Sequence, residues 1–405
     1  MRITTLLNHL LNLQGLRVTG VRIEAGFMIV SVHRTFRLLT CPRCGRRRRG
    51  RESRKVRRWR HFSIWGNEVY LEGEIRRLRC KKCEAVVTEA VPWARHGSDF
   101  TRPFEDAVAL LAQQNNKTTV MKLTRISWVT VGRIVERVVA EKLDPVRFED
   151  LRRVGVDEIS FRKRHRYLTV VTDHDTRRVV WVAEGKSSDV LKSFFEQIGA
   201  EACKRIEIVS MDMSAAYQKA VRDSLPNAEI VFDHFHIAKL ANEALNEVRR
   251  ALMREERDPA RKAAVKEMRW PTLYRMDNVP DKHLDALSKL RPDQPLGRAY
   301  LLKESLLDVL GCAAPDPHHA LRRWIAWACR SRLAPFVKLG RTIRNHLPGV
   351  IALLRERLSN GLAEGFNNTI RLLSHRAYGF HGSSPLIATI YLCCGGIRLP
   401  NLQLV

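Results

Sequence analysis

The period of the apolar positions changes several times along this chain, and each change marks a candidate element. The opening stretch, MRITTLLNHLLNLQG, has the spacing of an amphipathic first helix. Residues 65–75 (WGNEVYLEGEI) alternate as strands do. After Pro103, a favoured first-turn residue, FEDAVALLA takes up helical periodicity. A short segment from Thr118 follows, then a third helix over 129–141 with Val131, Ile134, Val138 and Val139 on its apolar stripe. From Val154 the pattern is strand-like at 154–160, 167–172 and 178–183. A helix is expected over 188–199, with Leu191, Phe194, Phe195 and Ile198 inward. A strand at 206–212, a short helix at 215–221 and a strand at 229–233 complete the run. The following hundred or so residues are helical and basic, with breaks expected at Pro271, Pro280, Pro292 and Pro295. Pro335 interrupts a later apolar stretch, and 385–397 reads as a hydrophobic tail packed on the core.

Three strands, helix, strand, helix, strand is the order of a ribonuclease-H-like mixed sheet. The expected fold is therefore multidomain α/β. A ribonuclease-H-like core is interrupted by an all-helical insertion and preceded by a zinc-ribbon-like module and a helix-turn-helix. The divisions expected are 1–98, 99–148, 149–238, 239–355 and 356–405, the last completing the core.

Composition narrows the partner. The chain has 405 residues, 71 Lys plus Arg against 43 Asp plus Glu, and a net charge of +28. Its hydrophobic fraction of 45% is enough for a sizeable core and argues against a disordered basic chain. Such a charge favours a polyanion, nucleic acid first. A membrane is disfavoured, since no apolar run reaches the roughly 20 residues of a spanning helix. The N-terminus shows no clear signal-peptide cleavage region, and a cytoplasmic, nucleoid-associated location is expected.

Four of the nine cysteines form two close pairs, Cys41-Pro-Arg-Cys44 and Cys80-Lys-Lys-Cys83. Each pair suits a tight knuckle, and together they supply the four soft ligands of one structural Zn²⁺. Doubling of the pair argues against a redox motif. Cys203, Cys312, Cys329, Cys393 and Cys394 read as small core hydrophobes. Between the pairs lie Arg46, Arg47, Arg48 and Arg49, then Arg57 and Arg58, which suit phosphate contact; a solvated basic tip is the alternative. Trp59 and Trp65 either fill the ribbon core or touch DNA. Thr130 and Arg133 of the third helix can reach a base or phosphate if the three helices form a helix-turn-helix.

Asp157 and Asp212 each end a strand-like run. Carboxylates brought together at a sheet surface repel unless a cation compensates them, and Mg²⁺ is the expected ion. Ordinary strand-end or capping roles are the competing reading. Glu364 is the candidate third acid, with Asn360 a turn before it and Asn367 and Asn368 a turn after. Asp233-His234-Phe-His236 reads as a strand-to-helix corner that contacts DNA or braces the site, with a metal ligand set as the alternative. Arg376 and Tyr378 are candidates for holding a phosphate or terminal base, with local packing as the alternative. Glu184-Gly-Lys186 lacks the upstream glycines of a P-loop.

The blocks Gly155-Val-Asp157-Glu, Ser210-Met-Asp212-Met-Ser, Phe232-Asp-His-Phe-His236 and Ser359-Asn-Gly-Leu-Ala-Glu364-Gly-Phe-Asn-Asn368 closely resemble those of bacterial insertion-sequence transposases of the Asp-Asp-Glu class. The paired cysteines extend the resemblance to the subgroup with an N-terminal zinc-binding domain, over nearly the whole chain. It implies that Asp157, Asp212 and Glu364 are the catalytic acids, holding two Mg²⁺ ions for which Mn²⁺ can substitute. It also implies metal-dependent cleavage at terminal inverted repeats, strand transfer into target DNA, and a dimer or larger complex pairing two ends. A nuclease without strand transfer and a non-catalytic DNA-binding regulator are the other functions in view.

Overall fold

The computed structural model describes residues 2–400, except Asn12, Ala25, Arg51, Trp65, 163–165, 312–315, Arg357, 359–360, 378–379 and His381. Expectations placed on Trp65, Cys312, Asn360, Tyr378 and His381 therefore lie outside the described residues. The chain divides into two compact units, residues 1–144 with 372–405, and residues 145–371.

The first unit opens with helix α1 (Ile3–Leu11) and strands β1 (Leu16–Glu24) and β2 (Phe27–Arg34), an antiparallel pair absent from the sequence reading. Short strands β3 (Leu39–Thr40) and β4 (Arg47–Arg48) pair with each other. The long hairpin β5 (Ser53–Ile64) and β6 (Asn67–Cys80) turns at Gly66, whose φ of +80° suits glycine. Strand β7 (Ala85–Thr88) adds to β6, which also pairs in parallel with β2.

Helices α2 (Arg102–Gln114), α3 (Lys117–Thr124) and α4 (Trp128–Lys142) follow. All three begin with a polar side chain accepting a backbone N–H: Thr101, Asn116 and Ser127. The turn into α4 passes through Arg125 in the left-handed region.

Buried charge joins this helical trio to the ribbon. Glu105 of α2 has no solvent exposure. It accepts from Ser98 Oγ at 2.7 Å, from Arg95 Nη1 at 3.2 Å and from Arg137 of α4 at 2.5 and 2.8 Å. His61 of β5 bonds Thr101 Oγ1 at 2.8 Å, beside the α2 cap. Trp59 is core, edge-on to Trp93 at 5.5 Å, which decides between the two readings of that residue.

The second unit holds a five-stranded sheet ordered β10-β9-β8-β11-β12. Strands β8 (Arg153–Arg162), β9 (Arg166–Asp173) and β10 (Arg178–Glu184) are antiparallel. Helix α5 (Ser188–Ile198) is capped by Ser187 and buries Leu191, Phe194 and Phe195; it ends at Gly199, φ +82°. Helix α6 (Ala200–Arg205), not expected from the sequence, leads into β11 (Ile208–Met211). Helix α7 (Ala215–Ser224) crosses to β12 (Glu229–Phe232), and both β11 and β12 run parallel to β8. This is the ribonuclease-H-like core that the element order implied.

The insertion comprises α8 (His234–Glu255), α9 (Pro259–Glu267), α10 (Asp281–Ser288), α11 (Pro295–Leu310), α12 (Pro317–Arg330), α13 (Ala334–Asn345) and α14 (Leu347–Glu356). Prolines 271, 280 and 295 stand at element starts as expected. Pro335 also starts a helix rather than interrupting one, because its missing N–H is harmless in a first turn. Buried Lys303 holds the insertion together, donating to the carbonyls of Thr272 and Tyr274 at 3.0 and 2.7 Å.

Helix α15 (Gly361–Arg376) follows, with the boundary between the units inside it. Helix α16 (Ser383–Cys394) packs Ala388 and Leu392 into the core of α2 and α4. The expected 356–405 segment is thus split, because the apolar face of α16 is covered by the helical trio and not by the sheet.

The buried polar groups can be tested directly. Glu105→Ala removes the shared acceptor of Ser98, Arg95 and Arg137, while Asp106 and Glu141 still pair with Arg95, and it should lower the stability of the first unit by about 1–3 kcal/mol, read by urea denaturation. Burial pushes the His61 imidazole down to about 4 from its ordinary 6.5. Below pH 6.5 the unfolded chain takes up a proton that the folded chain refuses until about pH 4, so the wild type loses stability across that window. His61→Gln lacks this loss. It should gain on the wild type by ~3 kcal/mol between pH 7 and pH 4 in the same assay.

Candidate active site and DNA-binding module

Three apolar runs in the second unit reach an aspartate: β11 and β12 stop one residue before Asp212 and Asp233, whereas β8 passes through Asp157 and continues to Arg162, because its pairing with β9 extends beyond the apolar run. The parallel pairing Ser210↔Gly155 carries on, two residues later, to the level of Asp212 and Asp157. The pairing Met211↔Phe232 carries on to Asp212 and Asp233, with the Asp233 N–H donating to the Met211 carbonyl at 3.0 Å. Parallel strands lie about 4.8 Å apart, so three carboxylates start from neighbouring backbone positions, at the carboxyl ends of β11 and β12 and in the middle of β8. In open α/β sheets the carboxyl ends of the parallel strands are where ligands bind.

The side chains then part into two groups. Asp157 is half-buried, and burial raises its carboxyl above the usual range. Asn367 and His236 pull it back, and Asp233 pushes it further up. Its Oδ1 accepts the Glu158 N–H at 2.7 Å and its Oδ2 accepts Asn367 Nδ2 at 2.5 Å. Asp212 accepts the Ser214 N–H at 2.9 Å. Its charge is felt by Glu158, which is raised first by burial and then by Asp212. Asp233 is nearly fully buried and caps α8 by accepting the Phe235 N–H at 2.9 Å. Its oxygens lie 3.8 Å from His234 and 3.6 Å from His236, so the three side chains cluster at the corner between β12 and α8.

Gly155 explains part of this arrangement. A Cβ there would meet Thr172 Oγ1 at 2.6 Å and His174 Nε2 at 3.0 Å, and that histidine bonds Ser210 Oγ at 2.7 Å. Only glycine leaves room for the polar layer under the aspartates.

Glu364 stands exposed in the first turn of α15, and Asn367 lies one turn further on. The bond from Asn367 to Asp157 therefore ties the helix that carries Glu364 to the middle of β8. The three acids do not form a tight donor set: among the described residues, only the four paired cysteines do. Asn368 is exposed and accepts from Arg371 at 3.4 Å. Arg376 belongs to the first unit, where its charge is felt by the Cys393 thiol. The sequence reading missed the alignment of Asp233 with the other two acids, although the signal was present: a third apolar run ends on aspartate.

In the first unit, Cys41 and Cys44 sit on the β3–β4 knuckle, where the Gly45 N–H donates to the Cys41 carbonyl at 3.0 Å. Cys80 ends β6, and Cys83 lies in the turn before β7. All four Sγ atoms fall within 4.8 Å of one another, with Cys44 and Cys80 at 3.5 Å and Cys41 and Cys83 at 4.0 Å. A tetrahedron with Zn–S of about 2.3 Å has edges of about 3.8 Å, so the quartet fits structural zinc. Left to themselves the thiols compete for charge. Cys80 is pulled down to about 6, chiefly by the Cys83 backbone, while Cys83 is pushed up to about 12, first by Cys44. A dication resolves that competition.

The arginines divide by environment. Arg57 pairs with Asp99 at 2.6 Å and Arg58 with Glu72 at 2.8 Å, so both are already engaged. Arg46, Arg47 and Arg49 are exposed, and Arg48 is half-buried. Arg133 is exposed on α4, and Thr130 bonds Ser127 Oγ at 2.8 Å. Val129, beside Thr130, is 54% exposed and was not singled out by its sequence. An exposed apolar side chain at the start of such a helix suits a thymine methyl group.

Replacing Cys41 and Cys44 by Ser should release one equivalent of zinc and unfold the ribbon, measured by metal analysis and by loss of end-DNA binding. Unchanged zinc content would overturn the site.

Comparison with known proteins agrees with these modules in order. Residues 37–83 match a family model described as the zinc-finger of transposase IS204/IS1001/IS1096/IS1165. Residues 89–139 match the helix-turn-helix domain of transposase family ISL3, and residues 154–390 match that family's transposase domain. The transposase for insertion sequence element IS1557 of Mycobacterium tuberculosis is 38% identical over 387 residues, 89% of this chain and 87% of its own. That for IS1001 of Bordetella parapertussis is 31% identical over 352 residues, 85% of this chain and 86% of its own. With a cysteine quartet, a helix-turn-helix and an acid-bearing ribonuclease-H-like sheet matched over nearly its full length, the chain belongs to the ISL3 family of insertion-sequence transposases.

Proposed function

We propose that this transposase cuts the terminal inverted repeats of its element, and joins the freed ends to target DNA, at a centre built from Asp157, Asp212 and Glu364. The observation that carries the proposal is the Asn367–Asp157 hydrogen bond, which fastens the Glu364 helix to the aspartate of β8. Carboxylates rising from adjacent strands repel one another, and a hard divalent cation with oxygen ligands relieves that repulsion. Asp157, Asp212 and Glu364 are the residues to hold Mg²⁺, or Mn²⁺ in its place. When bound, such ions activate water or a 3′ hydroxyl and stabilise the departing phosphodiester oxygen. The chain's part is positional. Asn367 fixes the Asp157 carboxylate, and the Ser214 N–H fixes that of Asp212. Asn360, Asn368, Arg376 and Tyr378 are assigned to DNA phosphates or the terminal base.

Residues 1–98 and 99–148 are assigned to recognition of the repeats. Arg46, Arg47, Arg48, Arg49 and Arg133 contact phosphate, and Thr130 contacts a base edge or phosphate. Arg57 and Arg58 join them by exchanging a carboxylate partner for phosphate. Zinc stays structural because four thiolates leave no open coordination position. Two element ends are paired by a dimer or larger complex, working at the bacterial nucleoid. Among the described residues no helix is long and apolar enough to cross a membrane.

Asp157→Asn, Asp212→Asn and Glu364→Gln should each reduce Mg²⁺-dependent cleavage of labelled element ends by about 10²- to 10³-fold or more, with end binding preserved. Normal cleavage by any one purified variant removes that residue from the centre. Cleavage without joining to a second duplex would reduce the activity to that of a nuclease.

A further inference from the structure

Between Asp316 and Glu356 the chain contains no acidic residue, yet it carries Arg322, Arg323, Arg330, Arg332, Lys338, Arg341, Arg344 and Arg355. Acids are frequent elsewhere in the chain, so this stretch concentrates positive charge. Helix α13 presents it. The inner face is locked by buried Phe336, Leu339 and Ile343, and by Gly340, where a Cβ would come within 3.1 Å of Ala328 and Cys329 of α12. The outer face lines a cleft of about 500 Å³ with Arg332, Val337, Lys338, Arg341, Thr342 and Asn345.

Arg332, Lys338, Arg341 and Arg344 are all exposed, and among the described residues none makes an ion pair. That contrasts with β5, where Arg54, Arg57 and Arg58 each have a carboxylate partner. Arg332 also holds a left-handed backbone, φ +62°, uncommon outside glycine and asparagine.

The stripe has a fixed end. Directly after α13, the His346 ring packs edge-on against Phe232, centroids 5.3 Å apart, and Gly349 of α14 lies so close to the same ring that no side chain fits. Phe232 is the residue before Asp233. The carboxyl end of α13 therefore lies against the carboxyl end of β12, one residue before Asp233.

We propose that the outer face of α13 holds the sugar–phosphate backbone of target duplex DNA and leads it to the acids of the sheet. Cations spaced about one helical turn apart suit successive phosphates. Cations outnumber base-reading groups in the cleft: no aromatic lines it, Thr342 Oγ1 already donates to the Lys338 carbonyl, and Asn345 is its one side-chain amide. Such a surface suits DNA of varied sequence, which a target is and an element end is not. The inference rests on the transposase reading for the choice of DNA, but its test does not use the acid chemistry.

The full-length, zinc-loaded protein and the R332Q/K338Q/R341Q variant are compared without magnesium, by fluorescence anisotropy. One probe is a short duplex of unrelated sequence and the other carries the element's own terminal repeat. Affinity for the unrelated duplex should fall at least about tenfold at low salt. The slope of log affinity against log salt should fall by about 2 to 3, close to 0.9 per lost contact. Repeat binding should change less. R341Q alone should lower the slope by about 1, and it decides the matter should the triple variant fold poorly. Unchanged slope on the unrelated duplex overturns the proposal. An equal loss on both duplexes also overturns it, since the surface would then serve the element end. Failure of Asp157→Asn to abolish cleavage would leave this result standing.

Discussion

Parallel register is the constraint from which the centre follows. Strands β8, β11 and β12 are separated in sequence by a hairpin, two helices and a crossover, yet their pairing brings Asp157, Asp212 and Asp233 to one edge of the sheet. Nothing local holds like charges so close. The buried apolar strands hold them, and Asn367, Ser214 and the α8 cap accommodate the consequence by hydrogen bonding. A shift of one residue in either pairing would turn the carboxylates to the opposite face.

Charge is organised differently in the two units. In the first, the arginines within the fold are paired, Arg34 and Arg95 with fully buried glutamates and Arg57 and Arg58 of β5 with Asp99 and Glu72, while Arg46, Arg47 and Arg49 by the cysteine knuckle stay exposed. These pairs specify how ribbon and helices meet. The zinc quartet performs a comparable task for two short knuckles that have little apolar area of their own. In the second unit, α13 leaves its cations bare on an outer face backed by a rigid apolar inner one. A net charge of +28 therefore says that the chain meets a polyanion, whereas the pattern of pairing says where.

Much was legible in the order of residues. The cysteine spacing, the first-turn Pro103, the helix expected over 129–141, the strand that stops before Asp212, and the proline breaks of the insertion are local signals, set by backbone chemistry within a few residues. Tertiary structure decided what local signals do not encode. Period alone left Trp59 open between core and surface, and packing against Trp93 settled it. An apolar tail says only that something must cover it, and the cover for α16 proved to be the helical trio. Asp233 joined the other aspartates through strand register, and Arg57 and Arg58 found partners distant in sequence. Each of these outcomes depends on which distant surface a side chain meets, and composition and spacing do not carry that information.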